Sequence, residues 1–165
     1  MANNRVYPLW LVNTFLDKYG ANGDISHMKA QKLAYLTHGH WLQTHDEPFL
    51  SENPQVWTYG PVFSTLYQDL KDYRNEIISH PVVFAFDDDP ENPTRVTDPE
   101  IVSVVEKVWK KYGKCSGTSL SDLTHAPNSP WSEMAKKYNY RVPKGLEIPV
   151  DLIKKHYRTQ VPSLD

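Results

Sequence analysis

Hydrophobic positions along this chain recur mostly at helical spacing. Leu9, Val12, Leu16 and Tyr19 follow an i, i+3, i+7, i+10 pattern that stops at Gly20, which predicts an amphipathic helix ended by glycine. After the turn Ala21-Asn22-Gly23-Asp24, Ser26 is placed to cap a second helix running from His27 to about Thr44. That helix carries Met28, Lys32, Tyr35, Gly39 and Leu42 near one stripe, with Leu33, Leu36 and His40 beside it. So wide an apolar surface predicts a central position.

Between Asp46 and Pro61 the period breaks. Pro48-Phe49-Leu50 and Gln55-Val56-Trp57-Thr58-Tyr59 read as two extended pieces around the turn Ser51-Glu52-Asn53-Pro54, so a small hairpin or extended loop is expected near residues 48–60. Pro61 stands where a third helix begins, with Val62, Leu66, Leu70 and Tyr73 on its face. From Asn75 to Val96 the prolines predict a connecting loop; Pro81 to Phe86 offers one strand, followed by the acidic turn Asp87 to Pro93. A fourth helix follows, opened either by a Thr97/Glu100 capping box or by Asp98 with Pro99 at the first turn. It is lined by Ile101, Val104, Val105, Val108 and Tyr112 and ends at Gly113. A short helix over Ser116 to Leu123 comes next. Ser129 and Pro130 open another that buries Trp131, Met134, Ala135 and Tyr138, and the last runs from Pro149 to about Tyr157. The expected fold is mainly α: one compact domain of six or seven helices with a small hairpin.

Composition narrows the function classes. With 165 residues, 39% of them apolar, the chain can bury a core of its own. Its apolar runs are far shorter than the roughly 20 residues a membrane helix needs, and its start lacks a signal-peptide pattern, so a cytoplasmic protein with no membrane partner is expected. The single Cys115 cannot form an intramolecular disulfide. A net charge of -2 and the lack of a basic recognition helix speak against nucleic acid as a partner. Charge is nonetheless uneven. Asp87, Asp88, Asp89, Glu91, Asp98 and Glu100 fall in one stretch, and Lys136, Lys137, Arg141, Lys144, Lys154, Lys155 and Arg158 in the last quarter; either these are solvated faces or they steer a partner.

Candidate chemistry is sparse. His38, His40 and His45 have the wrong spacing for zinc on one helix, since His38 and His40 project about 200° apart, and they read as surface or capping residues. Asp87, Asp89 and Glu91 imitate a calcium loop, but Asn92 fills the glycine position and Asp98 the position of the bidentate glutamate. Cys115 and His125 lack any local device that activates a thiol, and neither a phosphate loop nor a nucleophile elbow occurs. No catalytic residue, metal or cofactor is therefore assigned. An enzyme built around His125, with Tyr59 or Cys115 beside it, is the weakest of the functional readings.

What remains are two segments that join aromatic rings to backbone-constraining residues. In Trp57 to Val62 the two rings of Trp57 and Tyr59 share a face if the piece is extended. In Leu120 to Trp131, His125 is placed to hydrogen-bond across the loop toward Ser129-Pro130-Trp131. Each ring reads first as a structural anchor, with the surface-accessible members of both segments as contact residues.

Three blocks, Met28 to Tyr35, Val56 to Val62 with Leu66-Tyr67, and Leu120 to His125 with Ser129-Pro130-Trp131, resemble the Panacea domain family of SocA-like antitoxins, also met among phage-associated GepA-like proteins. The resemblance spans roughly residues 6–140. Val56 departs from the alanine expected before the tryptophan, and little matches after Tyr140. Its signature positions here are Lys32, Leu33, Tyr35, Trp57, Tyr59, Gly60, Pro61, Val62, Tyr67, Thr124, His125, Pro130 and Trp131. The resemblance implies a helical, non-enzymatic antitoxin without a cofactor, which neutralises a cognate protein toxin, encoded beside it, by direct contact. A host protease also enters as a partner, because one family member is an adaptor that delivers its toxin to a protease. The competing expectation is a prophage or mobile-element accessory protein that binds a host factor. Trp57, Tyr59, Phe63, His125, Asn128 and Trp131 are the expected partner-binding residues.

Overall fold

Helix α2 (His27–Leu42) is the axis of the fold, and most of the other elements pack directly on it. The computed structural model describes residues 5–84, 87, 89, 91 and 93–165. Ser26 caps α2 through the Lys29 N–H, and every residue of the helix except Met28 is buried. Around it lie α1 (Pro8–Tyr19), α3 (Ser64–Leu70), α4 (Pro99–Tyr112), α5 (Gly117–Thr124), α6 (Pro130–Lys137) and α7 (Val150–Thr159). The described residues thus form the expected mainly helical fold. The alternatives at α4 resolve in favour of Asp98, whose carboxylate accepts from the Glu100 N–H with Pro99 opening the helix.

The core joins Leu11, Phe15 and Leu16 of α1, Leu33, Tyr35 and Leu36 of α2, Val105 and Val108 of α4, and Ile153 and Tyr157 of α7. Gly39 is where α7 comes closest. A Cβ there would lie 2.2 Å from the Tyr157 ring, so only glycine lets that tyrosine lie flat on α2. Asn13 and Thr14 of α1 fasten the loop that precedes α4: Asn13 donates to the carbonyls of Val82 and Thr94 and accepts from the Val82 N–H, while Thr14 accepts from the Val96 N–H. Residues 81–84 are irregular rather than a strand, because side chains and not a sheet ladder satisfy their backbone. The remainder of the predicted strand, Ala85 and Phe86, and three members of the acidic turn, Asp88, Pro90 and Asn92, lie outside the described residues.

The hairpin forms later in the chain than the turn at residues 51–54 suggested. Strand β1 (Gln55–Trp57) pairs antiparallel with β2 (Gly60–Val62) around Thr58-Tyr59, with Trp57 opposite Gly60. Leu50 bridges instead to Val6. Pro61 accordingly sits in a strand and α3 starts at Ser64; a proline without an N–H is tolerated on a sheet edge as readily as in a first helical turn. Tyr73 falls in a 3₁₀ turn (Lys71–Tyr73) after α3. The segment beyond Tyr140 completes the hairpin's outer edge: the Val56 N–H donates to the Leu146 carbonyl and the Ile148 N–H to that of Pro54.

Candidate interaction site

The three sequence blocks meet where the hairpin lies on α2. Gln31 acts there as a substitute strand, its side-chain amide donating to the Phe63 carbonyl at 3.3 Å and accepting from the Phe63 N–H at 2.9 Å. Those two bonds hold Phe63 outside the helix and set the start of α3. Lys32 donates its ammonium to the Pro61 carbonyl at 3.0 Å. Burial, with no carboxylate within 4 Å among the described residues, lowers the lysine's pKa from 10.5 to about 7. From the other side, Ser121 of α5 donates to the Tyr59 carbonyl, and Thr124 lies against Gly60. Gly60 has φ +114°, a conformation costly for any other residue, and a Cβ there would approach Lys32 Cε and Thr124 Oγ1 at 3.2 Å.

The aromatic residues complete the assembly. Trp131 at the start of α6 donates its indole N–H to the Trp57 carbonyl at 2.8 Å, tying α6 to the hairpin. Trp57 packs on Tyr67 of α3 with ring centres 4.8 Å apart, and its indole N–H donates to Gln55. His125 packs edge-on against Trp131 at 5.2 Å. Its hydrogen bond runs backward, Nδ1–H to the Ser121 carbonyl, rather than across the loop as the sequence suggested, because His125 caps the C-terminus of its own helix.

The structure sorts the expected contact residues. Tyr59, at the hairpin tip, is 65% exposed; Asn128 is exposed and held at φ 68°; Trp57, His125 and Trp131 are half-buried. Phe63 is fully buried against the His38 ring, so it cannot touch a partner. Trp57 lies in β1 but Tyr59 lies in the turn that follows, so the extended geometry on which a shared face depended does not hold. Tyr138, expected inside, is exposed just past the end of α6. Lys32, Leu33, Tyr35, Gly60, Pro61, Val62, Thr124 and Pro130 are all buried, and Tyr67 is half-buried: most of the signature builds the scaffold and a minority reaches the surface.

Two of the three clustered histidines are also corrections. His38 is wholly buried, neither ring nitrogen has a hydrogen-bond partner among the described residues, and desolvation lowers its pKa to about 4. His40 is buried between Gln43 and the Tyr112 hydroxyl, while His45 pairs with Glu100 near the surface. Surface placement failed for the first two because α2 is enclosed on all sides. Among the described residues no group of three or more His, Cys, Asp or Glu side chains is placed to hold a metal. No helix among the described residues is long and apolar enough to cross a membrane.

A groove of about 860 Å³ opens between β1, α3, α6 and residues 140–145, with Trp57, Tyr67, Trp131 and Tyr140 among its walls. Comparison with known families takes in part of its walls: the description "Antitoxin SocA-like, Panacea domain" matches residues 31–132. The chain belongs to this Panacea domain family. It is also 28% identical over 163 residues to Antitoxin SocA of Caulobacter vibrioides (strain NA1000 / CB15N), covering 91% of this chain and 81% of that protein. No solved structure matches. The Panacea match takes in α2 from Gln31 onward, the hairpin and α5, and ends at the first turn of α6. It therefore contains every hydrogen bond described above that fixes the hairpin from the α2 and α5 sides. Gln31 and Ser121 were not singled out from the sequence, although both lie in the quoted blocks; the usable signal is a pair of polar residues on helix faces that must be buried. Tyr140 and Lys144 carry no such signal, since they reach the groove only through the return of the chain after α6.

Proposed function

We propose that this protein is an antitoxin that neutralises a partner protein toxin by direct, stoichiometric contact, with the whole chain acting as one unit. The observation that carries the reading is the junction itself. Gln31, Lys32, Ser121 and Trp131 spend four side chains on fixing the backbone of one short hairpin, leaving Tyr59 projecting and the Trp57–Trp131 groove open. Such pre-ordering lowers the cost of binding, because the side chains at the contact are already held. Membership of the antitoxin family and the name of the Caulobacter relative support the same role. The contact residues in this reading are Tyr59, Asn128 and the exposed edges of Trp57, His125 and Trp131, with Phe63 withdrawn.

Nothing in the arrangement of His125 favours catalysis. Its Nδ1–H is committed to the Ser121 carbonyl, and its ring rests on Trp131. A non-enzymatic role follows from the antitoxin reading.

The test is co-expression with the neighbouring gene. The expected result is that the neighbour's product arrests growth alone, is tolerated with this protein, and co-purifies with it at a fixed ratio. A harmless neighbour, or one that remains toxic and uncomplexed while this protein is abundant, would overturn the proposal. Recovery of host proteins alone would favour the accessory-protein alternative.

A further inference from the structure

A separate pocket of about 280 Å³ lies where the start of α1 meets α3 and the segment that Asn13 fastens. It shares no wall residue with the groove beside the hairpin. Part of its wall is aromatic. Tyr7 and Trp10 stand at right angles with ring centres 4.9 Å apart and form one corner, and Phe84 lines the pocket as well. Tyr7 is 56% exposed and Trp10 half-buried, so both rings are open to a ligand.

The charge of the pocket is negative. Asp69 of α3 and Asp87 both line it, and no Lys or Arg does. Asp87 accepts from the Phe84 N–H. Neither carboxylate has a cationic nitrogen within 4 Å among the described residues, and the arginines adjoining these walls, Arg5 and Arg95, pair with Glu47 and Asp17. Glu52 adds a third negative group behind the wall, where it accepts from the Thr65 hydroxyl. Burial and the Glu52 charge both raise the Asp69 pKa above 3.8, and no cation opposes them. The N-terminus of α1 lies at the same corner, but its dipole is worth only roughly half an elementary charge, less than the two lining carboxylates carry. Desolvating a carboxylate without a counter-ion is unfavourable, and a cation from outside removes that cost. Aromatic rings attract the same kind of ligand, because the ring quadrupole is negative above its plane.

We propose that this pocket receives one lysine or arginine side chain of the partner protein, its cationic head between Asp69 and Asp87 and its alkyl stem against Tyr7 and Trp10. That the partner is the neutralised toxin rests on the antitoxin reading; the positive charge of the group rests on the pocket alone. A volume of about 280 Å³ lies below the roughly 300–1,000 Å³ of sites that enclose a whole small molecule, which favours a single side chain as the occupant.

The test uses the full chain and two kinds of probe. The first follows the indole N–H of Trp10 by nuclear magnetic resonance, assigned through its loss in Trp10→Phe. N-acetyl-arginine amide and N-acetyl-lysine amide are expected to shift this signal and leave the other indoles in place, and the uncharged norleucine amide to need at least about a tenfold higher concentration. Asp69→Asn should weaken both cationic probes by about threefold to fivefold. It should also melt at or above the wild-type temperature, because the ionised Asp69 is destabilised by folding, and so separate lost binding from lost folding. Equal binding of the norleucine amide, a Trp10 signal that neither cationic probe moves, or a stronger response to calcium or spermidine would each overturn the inference. The second probe is an inactivated form of the neighbouring gene's product, whose binding should fall at least about tenfold in the combined Tyr7→Ala, Asp69→Lys protein. If the wild type holds it and the pocket variants hold it as tightly, the pocket inference fails and the antitoxin reading stands. If the wild type does not hold it yet the arginine amide binds beside Trp10, the antitoxin reading fails and the cationic specificity of the pocket stands.

Discussion

Replacing Lys32 by methionine should abolish an alkaline stabilisation that the folded protein otherwise shows. The unfolded chain titrates this lysine at its ordinary 10.5, whereas burial lowers it to about 7 in the folded state. Between those values the unfolded chain binds more protons, so stability rises with pH; the contribution is complete above the unfolded pKa and is lost as pH falls through the folded one. A shift from 10.5 to about 7 is 3.5 pKa units, roughly 5 kcal/mol between the two limits at about 1.4 kcal/mol per unit. From pH 7.5 to 9.5 the change should be about 2.5 kcal/mol. Lys29 is shifted in the same direction by burial and adds to the effect. The buried hydroxyls of Tyr35 and Tyr157 are pushed above 10.0 and oppose it only at higher pH. Urea unfolding at the two pH values is the assay; with a slope of about 2 kcal/mol per molar, the wild-type midpoint should move up by roughly 1 M. In Lys32→Met most of that displacement should disappear, whatever the loss of the bond to the Pro61 carbonyl does to absolute stability. A wild-type midpoint that ignores pH, or a variant that keeps the full displacement, would refute the claim that burial without a counter-ion drives the folded Lys32 toward its neutral form.

His38 should govern part of the acid limb: its pKa falls from 6.5 to about 4 on folding, so stability is present above 6.5 and lost as pH drops toward 4, by about 2 kcal/mol between pH 7 and 5. His38→Leu should reduce that loss in urea melts at the two pH values and be neutral or stabilising at pH 7, because both ring nitrogens lack partners. Gln31→Leu strands the buried N–H of Phe63, whose carbonyl keeps the bond from the Tyr67 N–H, and should cost about 1–3 kcal/mol by denaturant titration, with hydrogen exchange fastest in the hairpin. Gly39→Ala should cost more than 2 kcal/mol, roughly, since the added methyl meets the Tyr157 ring rather than a movable chain end, and the loosening of α7 is checked by proteolysis. Trp131→Phe keeps a ring but loses the bond to the Trp57 carbonyl; a thermal melt should register about 1 kcal/mol, well below a fully buried tryptophan, because the side chain is only half-buried.

Local chemistry was readable along the chain because it is decided within one turn of backbone. Ser26 and Ser129 cap the helices their spacing announced, Asp98 is one of the two openings offered for α4, and Pro99 and Pro130 open two of them. The width of the apolar surface on α2 marked it as central before any neighbour was known. The resemblance to the Panacea domain was likewise carried by residues that the fold then brings together. What the sequence could not determine is which backbone groups find partners across long separations. Pro61 is compatible with a helix start or a strand edge, and the choice fell to the strand because Lys32 and Gln31, some thirty positions earlier, take the carbonyl of Pro61 and both backbone groups of Phe63. His38 and His40 looked like surface residues because polarity is a local property, whereas burial depends on α4, α7 and the hairpin closing around the helix. The groove is the clearest case: Trp57, Tyr67 and Trp131 belong to the quoted blocks, but the charge of Lys144 and the left-handed Tyr140 come from the chain beyond residue 132, where the family match ends. Only the return of residues 140–148 along β1 places that charge beside the rings, since shape and electrostatic field at a surface are set by proximity in space and not by order in the chain.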